Sequence, residues 1–132
     1  MKSRPAPAPV RTIFGSIGCA WEGLSYALRS QRNLRIHMAA AVTAVVAAVA
    51  LEFTPLELAL VVLTACVVIL AEMLNTALEF ALNLLEARDH PVVRAAKDLA
   101  AGGVLAAVAG SLLGAALLFG PRLWAMLWGL RG

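Results

Sequence analysis

The sequence lacks the motifs that usually mark disulfide frameworks, zinc sites and soluble nucleotide-binding folds. Its two cysteines, Cys19 and Cys66, form no CxxC pair and lie in no cysteine and histidine cluster, which argues against a disulfide framework or a zinc site. No GxxxxGK[ST] sequence and no kinase-type glycine loop is present, which excludes a soluble kinase fold. Residues 1–9 lack the apolar core of a signal peptide, and we expect residues 1–11 to form a disordered leader.

Charged residues are also scarce. They make up 14% of the chain, whereas hydrophobic residues make up 61% and the mean hydropathy is +0.84. Because the apolar share of a soluble domain is usually about half, this composition predicts an integral membrane protein. A chain of 132 residues buries only a small core by itself, so we expect a single domain over residues 12–120 that associates with membrane lipids and with other subunits. The net charge of +3 is modest, and we expect no nucleic-acid partner.

The first predicted helix is amphipathic and covers residues 12–30. Its larger apolar residues recur at steps of three and four: Phe14, Ile17, Trp21, Leu24 and Leu28. This spacing places them on one helical face. A helix with Trp on its apolar face and basic residues at its ends suits the headgroup layer of a membrane. Packing against a protein neighbour is the alternative.

Three longer apolar segments follow and predict an all-α membrane protein. The spans are expected over residues 33–51, 56–86 and 92–119, with Pro55 and Pro91 at or near helix starts. The second would be about 46 Å long, which exceeds a hydrocarbon core of about 30 Å. Gly120 and Pro121 are predicted to end the third helix, and residues 121–132 to form an interfacial tail anchored by tryptophans.

Basic residues concentrate on one side of the predicted spans. They lie before the first span and between the second and third: Arg29, Arg32, Arg35, Arg88, Arg94 and Lys97. The connection over residues 52–57 has two glutamates and no basic residue. Because Lys and Arg mark the cytoplasmic side, the N-terminus and the 86–98 loop are predicted to be cytoplasmic. The C-terminus would then lie outside. Arg122 and Arg131 conflict with this orientation, because basic residues are expected on the cytoplasmic side.

A polar stripe interrupts the second span. Glu72, Asn75 and Glu79 fall within roughly 60° of one another on a helix, and Asn83 and Glu86 continue the same face. Ionisable groups at bilayer depth cost on the order of 3 kcal/mol or more each. Three polar groups in register therefore favour a functional site over a simple interhelical hydrogen-bond network. The length of the helix places the stripe at the cytoplasmic interface.

Polar groups from three segments are predicted to meet at that interface: the connection ending at His37, the stripe of Glu72, Asn75 and Glu79, and the group of Arg94, Lys97 and Asp98. Carboxylates suit Mg²⁺, and Lys97 and Arg94 suit nucleotide phosphates. The pattern predicts phosphoryl transfer at a membrane surface. Alternatively, Arg94 and Asp98 only pair with each other as i,i+4 neighbours, and His37 only lines the interface.

Four motifs lie within the region from residue 14 to about residue 118: Ala20-Trp21-x-Gly23, Arg32-Asn33-Leu34-Arg35-Ile36-His37, Glu72-x-x-Asn75-Thr76-Ala77-x-Glu79 and His90-x-x-x-x-x-x-Lys97-Asp98, the last followed by Ala100 and Ala101. In these motifs the sequence resembles the small prokaryotic diacylglycerol kinase family, which includes the undecaprenol kinases. The resemblance implies a surface helix plus three transmembrane helices and a homotrimer with composite sites in the bacterial inner membrane. It also implies phosphorylation of a lipid alcohol that depends on ATP and Mg²⁺.

The resemblance also implies roles for individual residues. Glu72 looks like the catalytic base, which takes a proton from the lipid hydroxyl, and it can also contact the metal. Glu79 looks like a Mg²⁺ ligand. The remaining matched residues are expected to bind nucleotide, phosphate or lipid: Asn75, Lys97, Asp98, Arg35, His37 and Arg94.

The first connection favours one branch of this family. Its RNxRIH form is closer to the undecaprenol kinases than to the diacylglycerol branch, where a glutamate stands at the position of His37. We therefore expect undecaprenol as the acceptor, with diacylglycerol as the alternative. Many members have an acidic residue at the position of Gln31 and an aspartate at that of Asn83, so metal or nucleotide contacts there are weakened or replaced.

Two other classes of function remain open at this point. One is a membrane assembly or lipid-binding module without catalysis. The other is a small transporter, which fits less well because transporter carboxylates usually lie near the bilayer midplane.

Overall fold

The computed structural model describes residues 12–84 and 90–129. This part of the chain contains four helices, α1 (Ile13–Ser30), α2 (Arg32–Ala50), α3 (Pro55–Asn83) and α4 (Pro91–Gly129), and no strand. The predicted all-α class is therefore confirmed. The leader at residues 1–11, Glu86 and Arg88 in the predicted loop, and Arg131 lie outside the described residues.

Three of the helices, α2, α3 and α4, are long and apolar enough to cross a membrane. With 29 residues, α3 extends over about 43 Å at 1.5 Å per residue. It is therefore longer than a hydrocarbon core of about 30 Å. Most of the large apolar side chains on these helices remain exposed within the single chain, as expected where lipid or other subunits complete the packing.

Helix α1 is a unit separate from the rest of the described chain. Thr12 caps its start, and the Thr12 hydroxyl oxygen accepts a hydrogen bond of 3.2 Å from the backbone N–H of Gly15. Phe14, Ile17 and Trp21 are all exposed. The predicted helix is confirmed, and its position in the headgroup layer stays a prediction.

The turn between α2 and α3 has a defined geometry. Glu52 takes a φ of 53°, and the N–H groups of Glu52 and Phe53 donate to the carbonyls of Val49 and Ala48. These two bonds form a Schellman motif, in which glycine is the usual residue at the position of Glu52. Thr54 and Glu57 then form a capping box at the start of α3.

Helices α3 and α4 form the most extensive contact between helices. They run antiparallel, because Glu57 near the start of α3 binds Arg122 near the end of α4, while Asn83 at the end of α3 binds Lys97. A Cβ placed on Gly114 would lie 4.0 Å from the Thr64 methyl carbon, whereas one on Gly110 would meet no atom within 4 Å. Of these two glycines, Gly114 is the one that faces α3.

Helix α4 continues through Gly120 and Pro121 to Gly129, whereas the sequence predicted a helix end at Phe119 and a separate tail. A proline inside a helix removes one backbone hydrogen bond, a loss that neighbouring helices compensate in many membrane-spanning helices. Here the residue after Pro121 is held against α3, because the Arg122 guanidinium makes two hydrogen bonds to the Glu57 carboxylate, of 2.8 and 2.7 Å.

An ionic and aromatic cluster surrounds this pair. The Arg122 Cζ atom lies 4.1 Å from the ring centroid of Phe53, and the Phe53 and Phe119 centroids are 4.6 Å apart. Arg122 thus makes a bidentate ion pair with a carboxylate and a cation–π contact with an aromatic ring. This arrangement, which we call the Glu57–Arg122 cluster, ties the α2–α3 turn to α4.

Replacing Glu57 by Gln is expected to lower the melting temperature of the protein in detergent, because Arg122 loses its counter-charge while the capping box can persist. Glu52→Gln is the matched control, since it removes the same charge from an exposed residue of the same turn. Thermal unfolding followed by circular dichroism measures the difference. Equal melting temperatures for the two variants would contradict a stabilising role for the cluster.

Candidate functional site

The polar face of α3 lines a cavity near the middle of α3 and α4, displaced along the helices from the Glu57–Arg122 cluster. Glu72 and Asn75 contribute from α3 and Asn33 contributes from the first turn of α2. The remaining wall comes from α4: Ala101, Val104, Leu105 and Val108. The cavity has a volume of about 270 Å³. Polar groups thus converge on one side, while the opposite side is apolar.

Glu72 is buried despite its carboxylate. It is 4% exposed, and Thr76, one helical turn further along, is 6% exposed. These are the two buried polar residues in the described part of the chain. Because a buried carboxylate is costly unless it has a partner or a function, this burial singles out Glu72 from the other acidic residues of α3.

Asn75 provides a second sign of an incomplete site. Its Oδ1 atom is buried and has no hydrogen-bond partner among the described residues. Leaving such an acceptor unsatisfied costs about 1–3 kcal/mol. A ligand that brings donors or a cation into the cavity would remove that cost.

The oxygen atoms of this cavity fit a hard cation in part. The side chains of Glu72, Asn75 and Asn33 supply carboxylate and carboxamide oxygens, which suit Mg²⁺. No group of three or more His, Cys, Asp or Glu side chains is close enough to hold a metal within residues 12–84 and 90–129. The donor set therefore fits an ion that takes one or two protein ligands and the rest from phosphate and water, as Mg²⁺ commonly does.

Lys97 lies beyond the cavity, at the C-terminal end of α3. Its ammonium group donates a hydrogen bond of 2.8 Å to Oδ1 of Asn83, which joins the first turns of α4 to the end of α3. Asn83 is neutral, so the charge of Lys97 is oriented but not neutralised by this contact. A cation held in this way can interact with an anionic ligand.

The other predicted site residues lie outside the cavity. Glu79 is exposed two turns beyond Glu72, about 10 Å along the helix axis. Arg35, Arg94 and Asp98 are exposed as well. His37 lines a separate groove on the other side of Val108. One chain thus brings together Glu72 and Asn75, and it does not bring Glu79 or His37 into their cavity.

Asn33 is the cavity residue to which the sequence analysis assigned no role. It lies four residues before His37, so the two side chains occupy successive turns of one helical face. The sequence feature that could have indicated Asn33 was its position in the Arg32–His37 motif, next to the basic residues to which roles were assigned. Periodicity alone did not indicate which of these polar side chains would meet Glu72.

Comparison with known proteins identifies relatives of this chain. Residues 18–119 match the model of the prokaryotic diacylglycerol kinase family. A diacylglycerol kinase of Synechocystis sp. is 43% identical over 106 residues, which cover 79% of this chain and 61% of that protein. An undecaprenol kinase of Bacillus subtilis is 31% identical over 123 residues, which cover 93% of this chain and 100% of that protein.

The chain thus spans about three fifths of the Synechocystis protein and the whole of the Bacillus protein. The family match includes α2, α3 and the whole predicted third span over residues 92–119, and with them every residue of the Glu72 cavity. The chain belongs to the prokaryotic diacylglycerol kinase family, a family of membrane lipid kinases.

Proposed function

We propose that this protein transfers the γ-phosphoryl group of ATP to the hydroxyl of a membrane lipid, with Glu72 as the general base. The observation that carries the proposal is the buried carboxylate of Glu72 beside the unsatisfied Oδ1 of Asn75, in a cavity walled by apolar side chains. A half-desolvated carboxylate is suited to accept a proton from an alcohol during phosphoryl transfer.

In the proposed reaction the lipid hydroxyl approaches Glu72 from the apolar wall of the cavity. The carboxylate accepts the hydroxyl proton while the alcohol oxygen attacks the γ-phosphorus of ATP, and ADP leaves with the bridging oxygen. Asn75 and Asn33 orient the polar groups of the reactants through their carboxamides. The α4 side chains Val104 and Leu105 exclude water, which limits hydrolysis of ATP.

The nucleotide would lie toward the C-terminal end of α3 and the N-terminal end of α4. Lys97, oriented by Asn83, contacts phosphate oxygens, with Arg94 and Asp98 on the same end of α4. Glu79 is proposed to hold Mg²⁺ outside the cavity and Glu72 is proposed as a metal contact inside it, since the two residues lie about 10 Å apart along α3. A Mg²⁺ ion held there would supply positive charge to the phosphate oxygens.

A homotrimer in the bacterial inner membrane completes the proposal. The many exposed apolar side chains on α2, α3 and α4 support association, and a neighbouring subunit could supply polar groups that one chain does not bring to Asn75. The proposed orientation places the N-terminus and the Glu72 cavity on the cytoplasmic side. The pairing of Arg122 with Glu57 supports it, because that arginine is charge-compensated on the outer side.

Depth also favours a site reached by soluble nucleotide. Glu72 lies 17 residues after Pro55, or about 26 Å along α3, which is close to the full thickness of a hydrocarbon core of about 30 Å. A carboxylate that couples protons to transport usually lies near the midplane. Proton-coupled flux in liposomes without phosphoryl transfer would favour the transporter over the kinase.

We propose undecaprenol as the acceptor. The Arg32–His37 motif and the match over the whole length of an undecaprenol kinase support it. The higher identity to a protein named diacylglycerol kinase favours diacylglycerol as the second candidate.

Side-by-side assays of the purified protein with the two lipids in mixed micelles decide between the two acceptors. We expect a higher kcat/KM with undecaprenol, and a higher value with diacylglycerol would reverse the assignment. Binding of Mg²⁺ and ATP measured by calorimetry in nanodiscs separates a kinase from a lipid-binding module. Absence of both nucleotide binding and turnover would favour the module.

A further inference from the structure

His90 directly precedes α4 and caps the start of that helix. The backbone N–H of Val92 donates a hydrogen bond of 3.2 Å to Nδ1 of the His90 imidazole, and the N–H of Arg94 donates one of 3.1 Å to the His90 carbonyl. An N-cap residue accepts hydrogen bonds from the first helical turn in this way. Pro91 favours the arrangement, because the residue before a proline is biased toward the extended conformations that N-cap residues adopt.

Histidine is an uncommon residue at this position. Serine, threonine, aspartate and asparagine are the usual N-cap residues, and each accepts the hydrogen bond through an oxygen atom. An imidazole nitrogen accepts only while it carries no proton, so the bond to Nδ1 requires the neutral tautomer of His90 with its proton on Nε2. Histidine is the side chain that changes its charge between about pH 5 and 8. The cap of α4 is therefore of a kind that depends on pH.

Protonation of His90 would remove the cap and add a repulsion. Both nitrogens of an imidazolium are donors, so the Val92 N–H would lose its acceptor. A positive charge is also unfavourable at the N-terminus of a helix, where the helix dipole is positive, and Arg94 adds a charge of the same sign one turn further along. The cap is thus formed at high pH and lost as the pH falls.

Few charged groups adjoin this end of α4. His90 is exposed and has no ion-pair partner among residues 12–84 and 90–129. At the end of α3, the neutral Asn83 binds Lys97. The charged side chains on the adjoining turns of the two helices are Glu79, Arg94, Lys97 and Asp98. The charged residues of the connection lie outside the described residues: Glu86, Arg88 and Asp89.

The capped turn leads directly into the residues proposed to bind nucleotide. Arg94 lies in this turn, and Lys97 and Asp98 lie in the next one. Val93, also in the capped turn, is 8% exposed and is the buried residue of α4, so the turn is packed in its present position. Fraying of an uncapped turn would add to the entropic cost of ordering Arg94 and Lys97 around a phosphate group.

We propose that neutral His90 is a positioning residue for the nucleotide site and that its protonation weakens ATP binding, an inference that rests on the proposed function. His90 itself touches no reacting atom in this proposal. It acts through the hydrogen bond that holds the first turn of α4.

Three forms of the full-length protein test this inference: the wild type, His90→Ala, which removes the cap, and His90→Asn, which keeps a cap that does not titrate near neutral pH. Calorimetry in nanodiscs measures the Kd for ATP with Mg²⁺ at about pH 7.5 and about pH 5.5. At the higher pH we expect equal Kd values for the wild type and His90→Asn, and binding about 3- to 10-fold weaker for His90→Ala. At the lower pH the wild type should match His90→Ala.

His90→Asn is also the control for other titrating groups. Protonation of ATP or of His37 affects the three proteins alike and cancels in the ratios of their Kd values. Hydrogen exchange of the amides of residues 92–96 adds a readout without nucleotide. The wild type should be protected like His90→Asn at the higher pH and should lose that protection at the lower pH.

Two results would overturn the role of His90 alone. One is a ratio of wild-type to His90→Asn Kd values that is the same at both pH values. The other is equal exchange in the wild type and His90→Ala at the higher pH, because the imidazole would then not order the turn. Absence of ATP binding by the wild type at both pH values would instead reject the proposed nucleotide site, and the role of His90 with it.

Discussion

Glu72→Gln is expected to lower kcat about 10²- to 10⁴-fold, the usual contribution of a positioned general base. Glutamine has nearly the same shape as glutamate but cannot accept the hydroxyl proton in the same way. Because the side chain is only 4% exposed, an isosteric change is the mildest test of its charge. Steady-state transfer of phosphate from ATP to undecaprenol measures the effect.

The control for this variant is the same substitution at the other end of the same helix. Glu57→Gln should retain turnover per folded molecule, since residues 57 and 72 are about 22 Å apart along α3. Glu72→Gln should still bind Mg²⁺ and ATP in calorimetry and remain in the same oligomeric state. Full activity of Glu72→Gln would exclude Glu72 as the base.

Lys97→Met is expected to reduce kcat/KM for ATP about 10- to 100-fold. A hydrogen bond to a charged group is worth about 1.5–3 kcal/mol, and about 1.4 kcal/mol corresponds to a factor of ten. The effect should fall on the KM for ATP more than on that for the lipid. Lys97→Arg, which keeps the charge, should recover part of the loss.

Asn83, which accepts the hydrogen bond from Lys97, allows the charge of Lys97 to be tested without replacing the lysine. Asn83→Asp would place a carboxylate against the ammonium group and is expected to raise the KM for ATP about 2- to 5-fold, since an exposed ion pair is worth about 0.2–1 kcal/mol. If residue 83 instead belonged to an incomplete metal site, the same variant would increase activity and lower the Mg²⁺ requirement. That outcome would contradict a nucleotide-binding role for an uncompensated Lys97.

The sequence predicted the helices well because their ends carry local signals. Pro55 and Pro91 begin α3 and α4, and both residues favour the first helical turn. The end of α4 was predicted wrongly for a physical reason. Gly120 and Pro121 usually stop a helix in water, whereas here Arg122 is held by Glu57, a residue 65 positions away that no local pattern indicates.

The candidate site was predictable in part. The helical repeat places Glu72 and Asn75 on one face, and the structure puts both in one cavity. Periodicity could not distinguish Glu72, which is buried, from Glu79, which is exposed, because burial depends on where α4 crosses α3. For the same reason Asn33 was missed and His37 was expected at a site from which Val108 separates it.

The most direct test of the kinase proposal follows the γ-phosphoryl group of ATP. The purified wild-type protein is incubated in micelles with ATP labelled at the γ-phosphate, Mg²⁺ and undecaprenol, in parallel with Glu72→Gln. We predict label in the lipid phosphate with the wild-type protein, none when Mg²⁺ is chelated, and at most about 1% of the wild-type rate with the variant. Absence of labelled lipid with either undecaprenol or diacylglycerol, or equal labelling by the wild type and Glu72→Gln, would contradict the account.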